Sequence, residues 1–143
     1  MPDEVTIREF TRQAASFERP GSHFADLDVL DWIAAHVEVG PRDRVLDVAG
    51  GTGQLGRHLG RSAALTVVAD LTPAMLERGV EAVREADRPD VVFVRADAAA
   101  LPFAGGQFET VVSRFALHHL PDIGAALREM RRACAPGGTV TVI

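Results

Sequence analysis

The chain has no lysine, no tyrosine and a single cysteine, Cys134, among its 143 residues. Without lysine there can be no Schiff-base nucleophile and no phosphate-binding loop of the lysine-bearing kind. Without tyrosine as well, no Tyr–Lys pair exists to serve a nicotinamide-dependent oxidoreductase. One cysteine cannot form an intramolecular disulfide or a cysteine-built zinc site, and it agrees with a reducing cytoplasm. Apolar runs are short and interrupted by charges, so no membrane span is expected. The opening MPDEVTIREF is charged and lacks an apolar core, so no secretory signal is visible. No basic block occurs and the net charge is −5, which argues against a nucleic-acid backbone as the main partner.

Hydrophobic residues make up 47% and charged residues 24%, a globular balance for one domain with one core. Residues 5–18 read as a helix whose apolar positions are Val5, Phe10, Ala14 and Phe17, and Pro20-Gly21 stops it. A second helix is expected from Ser22 to Val37, with Leu27, Leu30, Ile33, Ala34 and Val37 on one stripe. The pattern then alternates. Strands are expected at 44–48, 65–69, 91–94, 110–113 and 139–143, with helices at 54–61, after Thr72-Pro73, and from Ile123 through Leu127 and Met130 to Cys134. Thr72 reads as the N-cap of its helix, and Pro136-Gly137-Gly138 as the stop of the last one. Nearly all-apolar strands alternating with helices imply a doubly wound, mostly parallel, Rossmann-like α/β sheet with helices on both faces.

Ligands of such sheets bind beyond the carboxyl ends of the strands. The sequence sets an aspartate at each of the first three ends: Asp47, Asp70 and Asp97. Asp47-Val48-Ala49-Gly50-Gly51-Thr52-Gly53 is a glycine-rich turn, and Asp70 follows Gly51 by 19 residues, the spacing of a ribose-binding carboxylate. Gly51-x-Gly53-x-x-Gly56 also satisfies the dinucleotide fingerprint, so NAD(P) is the obvious rival ligand. A pyrophosphate would be repelled by Asp47 just ahead of the turn, whereas a ligand carrying an ammonium and a sulfonium suits it. S-adenosylmethionine (SAM) is such a ligand. A plainer reading stands beside each acid: Asp47 as a cap of the turn, Asp70 as a partner of the Thr72 region, Asp97 as a loop starter.

These motifs resemble the class I SAM-dependent methyltransferases, in particular the branch of ubiquinone and menaquinone biosynthesis (methyltransferase type 11). The likeness runs from Phe10 onward. It rests on residues 45–53, 70–76 and 95–103, on Phe108 to Leu120 with Ala116-Leu117-His118-His119-Leu120, and on Pro136-Gly137-Gly138. It implies that Ala49, Gly51 and Gly53 let the backbone pass the methionine part of SAM, with Asp47 near its ammonium. Asp70 would bind the ribose, Leu71 and Met75 would pack near the adenine, and Asp97 and Ala98 would pair with the ring. Arg114 and Phe115 would line the methionine and acceptor side. Ala49-Gly50 departs from the family's usual Gly-Cys, and relatives continue through two more strands that are absent here.

The division expected is a helical lid or cap segment at 1–40 and a SAM-binding core at 41–143, truncated after the fifth strand. The first helix, with Phe10, Gln13 and Phe17, reads equally as a lid over the cofactor or as an ordinary amphipathic helix. Methyl transfer needs positioning and exclusion of water rather than a nucleophilic side chain. No catalytic residue is assigned; His118 and His119 are weak candidates for a general base, set against a purely structural place at a strand–helix junction. His23, His36 and His58 read as surface residues. The acceptor expected is a small molecule, quinone-like, lipid-like or a secondary metabolite. A SAM-binding module without catalysis is the alternative from another class. The last strand, β-branched and unblunted by lysine or proline, is expected to offer an open edge for self-association.

Overall fold

The computed structural model describes residues 4–143. Its elements are α1 (Glu4–Phe17), α2 (Leu27–Ala34), β1 (Arg44–Val48), α3 (Gln54–Leu59), β2 (Leu65–Asp70), α4 (Pro73–Glu85), β3 (Val91–Arg95), β4 (Phe108–Ser113), α5 (Ile123–Ala133) and β5 (Cys134–Val142). The five strands form one parallel sheet in the order β3-β2-β1-β4-β5. The expected α/β architecture is therefore present. Among the described residues, no helix is long and apolar enough to cross a membrane.

Alternate residues of each strand face opposite layers, so both faces must be covered. Leu46, Val48, Val67, Ala69 and Val111 pack with Ala126, Met130 and Ala133 of α5. On the opposite layer Val112 packs with Leu30, Ile33, Leu55 and Leu59 of α2 and α3, while Val68 meets Val83 of α4. Two glycines set the closeness of this layer. A Cβ at Gly53, whose φ is +80°, would lie 2.7 Å from Val68 Cγ2, and one at Gly79 would lie 2.7 Å from the Thr52 carbonyl oxygen.

Four expectations about the elements need correction. The second helix is split: Ser22 caps a short 3-10 turn at His23–Ala25, and Asp26 Oδ1 accepts from the Asp28 and Val29 N–H groups to start α2. Leu27, at that first position, is 61% exposed. Likewise α3 ends at Leu59 and tightens into a 3-10 turn at Gly60–Ser62. Thr72 precedes α4 but does not cap it with its side chain. In α5 the buried face is Ala126, Met130 and Ala133, and the larger Ile123 and Leu127 remain 44% and 40% exposed. Small side chains let the helix backbone approach the sheet, so the stripe of large apolar residues was the wrong one to follow. Finally, Cys134 belongs to β5. It sits opposite Phe108 while Thr139 sits opposite Thr110, so Pro136-Gly137-Gly138 bulge out of a strand that has already begun.

Strands β1 and β4 are also joined by side chains. Arg44 Nη2 meets Glu109 Oε1 at 2.9 Å, and the Arg44 backbone N–H donates to Glu109 Oε2 at 2.7 Å. The guanidinium, foremost, holds the Glu109 carboxyl down to about 2. A lowered folded pKa gives stability that is present above the unfolded glutamate value and lost as pH falls through the folded one. The pair is part-exposed, so Glu109→Gln is expected to lower stability by only about 1 kcal/mol at pH 7 in urea unfolding. That difference should shrink toward pH 2; an equal difference at both pH values would contradict the assignment.

Candidate functional site

From β1 the sheet grows in one direction to β2 and β3 and in the other to β4 and β5, which opens a crevice at the carboxyl ends of the strands. A cavity of about 1120 Å³, open solvent at its mouth included, lies there. Its floor follows the strand order from Asp97 after β3, through Asp70 and Asp47, to Arg114 and Phe115 after β4. Ala49, Gly51, Leu71, Met75 and Ala98 also line it. Of the residues expected to hold a cofactor, only Gly53 lies off the wall; it is buried beneath the turn against Val68. His119 lines the cavity and His118 does not.

The carboxylate of Asp70 is fixed by backbone donors: the Gly51 N–H meets Oδ2 at 2.8 Å and the Thr72 N–H meets Oδ1 at 2.8 Å. Burial raises its pKa, opposed by these hydrogen bonds. It therefore ties the glycine turn to the end of β2, which is the plainer role expected of it, while still facing the cavity.

Asp47 sits deeper, 1% exposed, one residue before the end of β1. Its Oδ2 accepts the Gly56 N–H in the first turn of α3 at 2.9 Å. The carboxyl fills the space under the turn: a Cβ at Gly50 would lie 2.6 Å from its Cγ, and one at Gly56 would lie 2.8 Å from its Cβ. Loss of solvent is the main reason its pKa is pushed up to about 6, with the Gly56 N–H and the Arg114 charge pulling the other way. Asp97 is half-buried, and its Oδ1 accepts the Ala99 N–H at 2.9 Å.

Arg114 faces this acidic floor from β4. Its Nη2 donates to the Phe24 carbonyl at 2.8 Å and to Gln54 Oε1 at 3.3 Å, while Nη1 is buried without a partner. Burial lowers its pKa and Asp47 partly restores it. The guanidinium stands 5.3 Å from the centre of the Phe115 ring. Phe115 has φ +54° and Ala49 has φ +51°, two side-chain-bearing residues in the left-handed region, both on the cavity wall. Such strain gathers at ligand sites, where the surroundings enforce it.

The roof comes from α1 and the segment after it. Thr6, Ile7, Phe10 and Phe17 line the cavity, Phe17 stacks on Phe24 at 4.2 Å, and Phe10 meets His119 edge-on at 5.0 Å. The end of α1 is fastened to α3: Gln54 Nε2 donates to the Phe17 carbonyl at 2.6 Å, and Arg57 pairs with Glu18 at 2.6 Å. Gln13 is exposed and takes no part. His58, read from sequence as a surface residue, is 8% exposed at its side chain and meets Asp31 at 2.8 Å. Gln54, Phe24 and Ile7 were not singled out in the sequence. A glutamine opening an otherwise apolar helix after Gly53 was the one available signal.

Comparison with known proteins agrees with this geometry. The methyltransferase-domain family matches residues 45–138. A demethylmenaquinone methyltransferase of Mycobacterium marinum is 41% identical over 106 residues, covering 74% of this chain and 43% of that protein. A ubiquinone/menaquinone biosynthesis C-methyltransferase of Paracoccus denitrificans is 40% identical over 122 residues, covering 80% and 46%. Among solved structures, a putative methyltransferase of Bacillus halodurans superposes with a TM-score of 0.73 at 30% identity, covering 82% of this chain and 49% of that one. The chain thus spans less than half the length of these curated relatives.

Proposed function

The chain belongs to the class I, SAM-dependent methyltransferases, and from that premise we propose that it binds SAM and transfers its methyl group to a small-molecule acceptor. Quinone-like, lipid-like and secondary-metabolite acceptors are the classes intended. The observation that carries the reading is the acidic floor: Asp47, Asp70 and Asp97 line one cavity beside a glycine turn. Three carboxylates repel a pyrophosphate and favour a ligand that is cationic and phosphate-free.

The roles follow the order of the strands. Asp70 receives the ribose hydroxyls on the lone pairs left free by Gly51 and Thr72. Asp97 and Ala98 flank the adenine, with Leu71 and Met75 against its face. Asp47 faces the ammonium, and the unpartnered Nη1 of Arg114 takes the carboxylate of the methionine part. Gly51 and Ala49 keep the passage beside the sulfur narrow and open. When bound, SAM supplies an electrophilic methyl group; the chain orients it and excludes water. Segment 1–40 acts as the lid over the 41–143 core, held down by Gln54, Arg57 and Arg114. The single cysteine supports a reducing, cytoplasmic setting.

Asp97→Ala is expected to weaken adenosine and SAM by the same factor, about tenfold for one lost charge-assisted contact. Asp47→Asn is expected to weaken SAM and leave adenosine unchanged. Calorimetric titration of both ligands on both variants checks this, and an equal effect of the two substitutions on adenosine would contradict the division of roles. The outer edge of β5, where Val140 and Val142 are 40% and 42% exposed, supports self-pairing. Light scattering should then show a dimer or larger; a monodisperse monomer at high concentration would contradict it.

A further inference from the structure

The acceptor side of the cavity is almost free of ionisable groups. With Asp47, Asp70, Asp97 and Arg114 given to the cofactor, the remaining wall is Thr6, Ile7 and Phe10 from α1, with Phe115, Leu120 and Pro121 and their neighbours after β4. Among the described residues of that wall, His119 alone carries a titratable side chain.

Resting on the methyltransferase reading, we propose that His119 is the base that accepts the acceptor's proton, and that the acceptor is a weakly acidic hydroxyl compound, a phenol or enol. The 3-10 turn at Leu117–His119 fixes the residue where the end of β4 meets the roof. Phe10 meets its ring edge-on at 5.0 Å, and the ring of His118 lies 3.9 Å away on its other neighbour side. Loss of solvent first, and the like charge of His118 second, lower its pKa below the ordinary histidine value. The imidazole is therefore neutral near pH 7 and has a lone pair to offer.

The step balances as follows. The acceptor's O–H bond breaks and its proton passes to the imidazole, while the oxygen, or the carbon conjugated to it, forms a bond to the methyl carbon. The C–S electron pair stays on sulfur, which becomes a neutral thioether, and the imidazolium returns the proton to water at the open mouth. His119 is exposed enough for that return. The aromatic wall of Phe10, Phe17, Phe24 and Phe115 fits a planar acceptor, since ring faces pack on one another without needing polar partners.

The test uses 4-nitrophenol, whose phenol and phenolate forms absorb differently, titrated into the whole chain holding S-adenosylhomocysteine. Bound nitrophenol is expected to ionise about one pH unit or more below the free compound, a tenfold shift in its proton affinity. His119→Gln is expected to abolish that shift while its affinity for S-adenosylhomocysteine, measured by calorimetry, stays within about twofold, since the histidine lies off the cofactor's floor. Binding of S-adenosylhomocysteine with no binding of nitrophenol, with nitrophenol bound in its neutral form, or with the shift intact in the variant would each overturn the proposal alone. Failure to bind S-adenosylhomocysteine would overturn the methyltransferase reading and this proposal with it.

Discussion

Asp70→Ala is expected to weaken SAM by about a hundredfold and to destabilise the free chain by about 2 kcal/mol, because one carboxylate serves both ends of the site. In the free protein it neutralises the N–H groups of Gly51 and Thr72, each at 2.8 Å. Truncation leaves both donors without that acceptor in a largely dry corner, and the glycine turn loses its tie to β2. In the complex the ribose loses a charged acceptor as well. The two effects separate experimentally. Urea unfolding of the free variant reads the first, and calorimetry on folded variant reads the second. Unchanged SAM affinity in a folded Asp70→Ala protein would remove Asp70 from the site.

The second large effect is a dependence on pH. Asp47 is buried with a pKa of about 6, well above the value near 4 of an unfolded aspartate. A raised folded pKa means that the folded state holds this proton more tightly than the unfolded state. Its stability contribution is thus fully present below about pH 4 and is lost as pH rises through about 6, a change of up to about 3 kcal/mol. Asp47→Asn keeps an oxygen for the Gly56 N–H and removes the titration. The variant should therefore gain on the wild type between pH 4.5 and 7.5 in urea unfolding. An equal difference at both pH values would show that Asp47 does not titrate in that window. Ligand binding should carry the same signature with the opposite sign. An ammonium beside Asp47 favours the ionised carboxylate, so SAM affinity should rise with pH up to about 6 while adenosine affinity should not.

These two residues also show what could be read from the chain alone. A parallel strand covered on both faces is an apolar run, and the acid that ends it marks the ligand edge of the sheet. Asp70 and Asp97 stood out for that reason, as did the glycines between Asp47 and Gln54. What Asp47 does was not legible: its place between Gly50 and Gly56 depends on how α3 folds back over β1. The roof was half legible. Phe10 and Phe17 follow helical spacing, but their partners Phe24, Gln54 and Arg114 come together over separations of 37 to 90 residues. No local pattern records such a meeting. The face of α5 was misread because alanines, not the larger Ile123 and Leu127, give the closest approach to the sheet.

The central claim is that the acidic floor selects a cationic nucleoside ligand over a dinucleotide. It is tested most directly by titrating the wild-type chain at pH 7.5 with SAM, S-adenosylhomocysteine and NADH in one calorimetric series. Saturable one-to-one binding of SAM and S-adenosylhomocysteine, with none for NADH at the same concentrations, is the predicted result. Binding of NADH, with no heat from SAM, would contradict it.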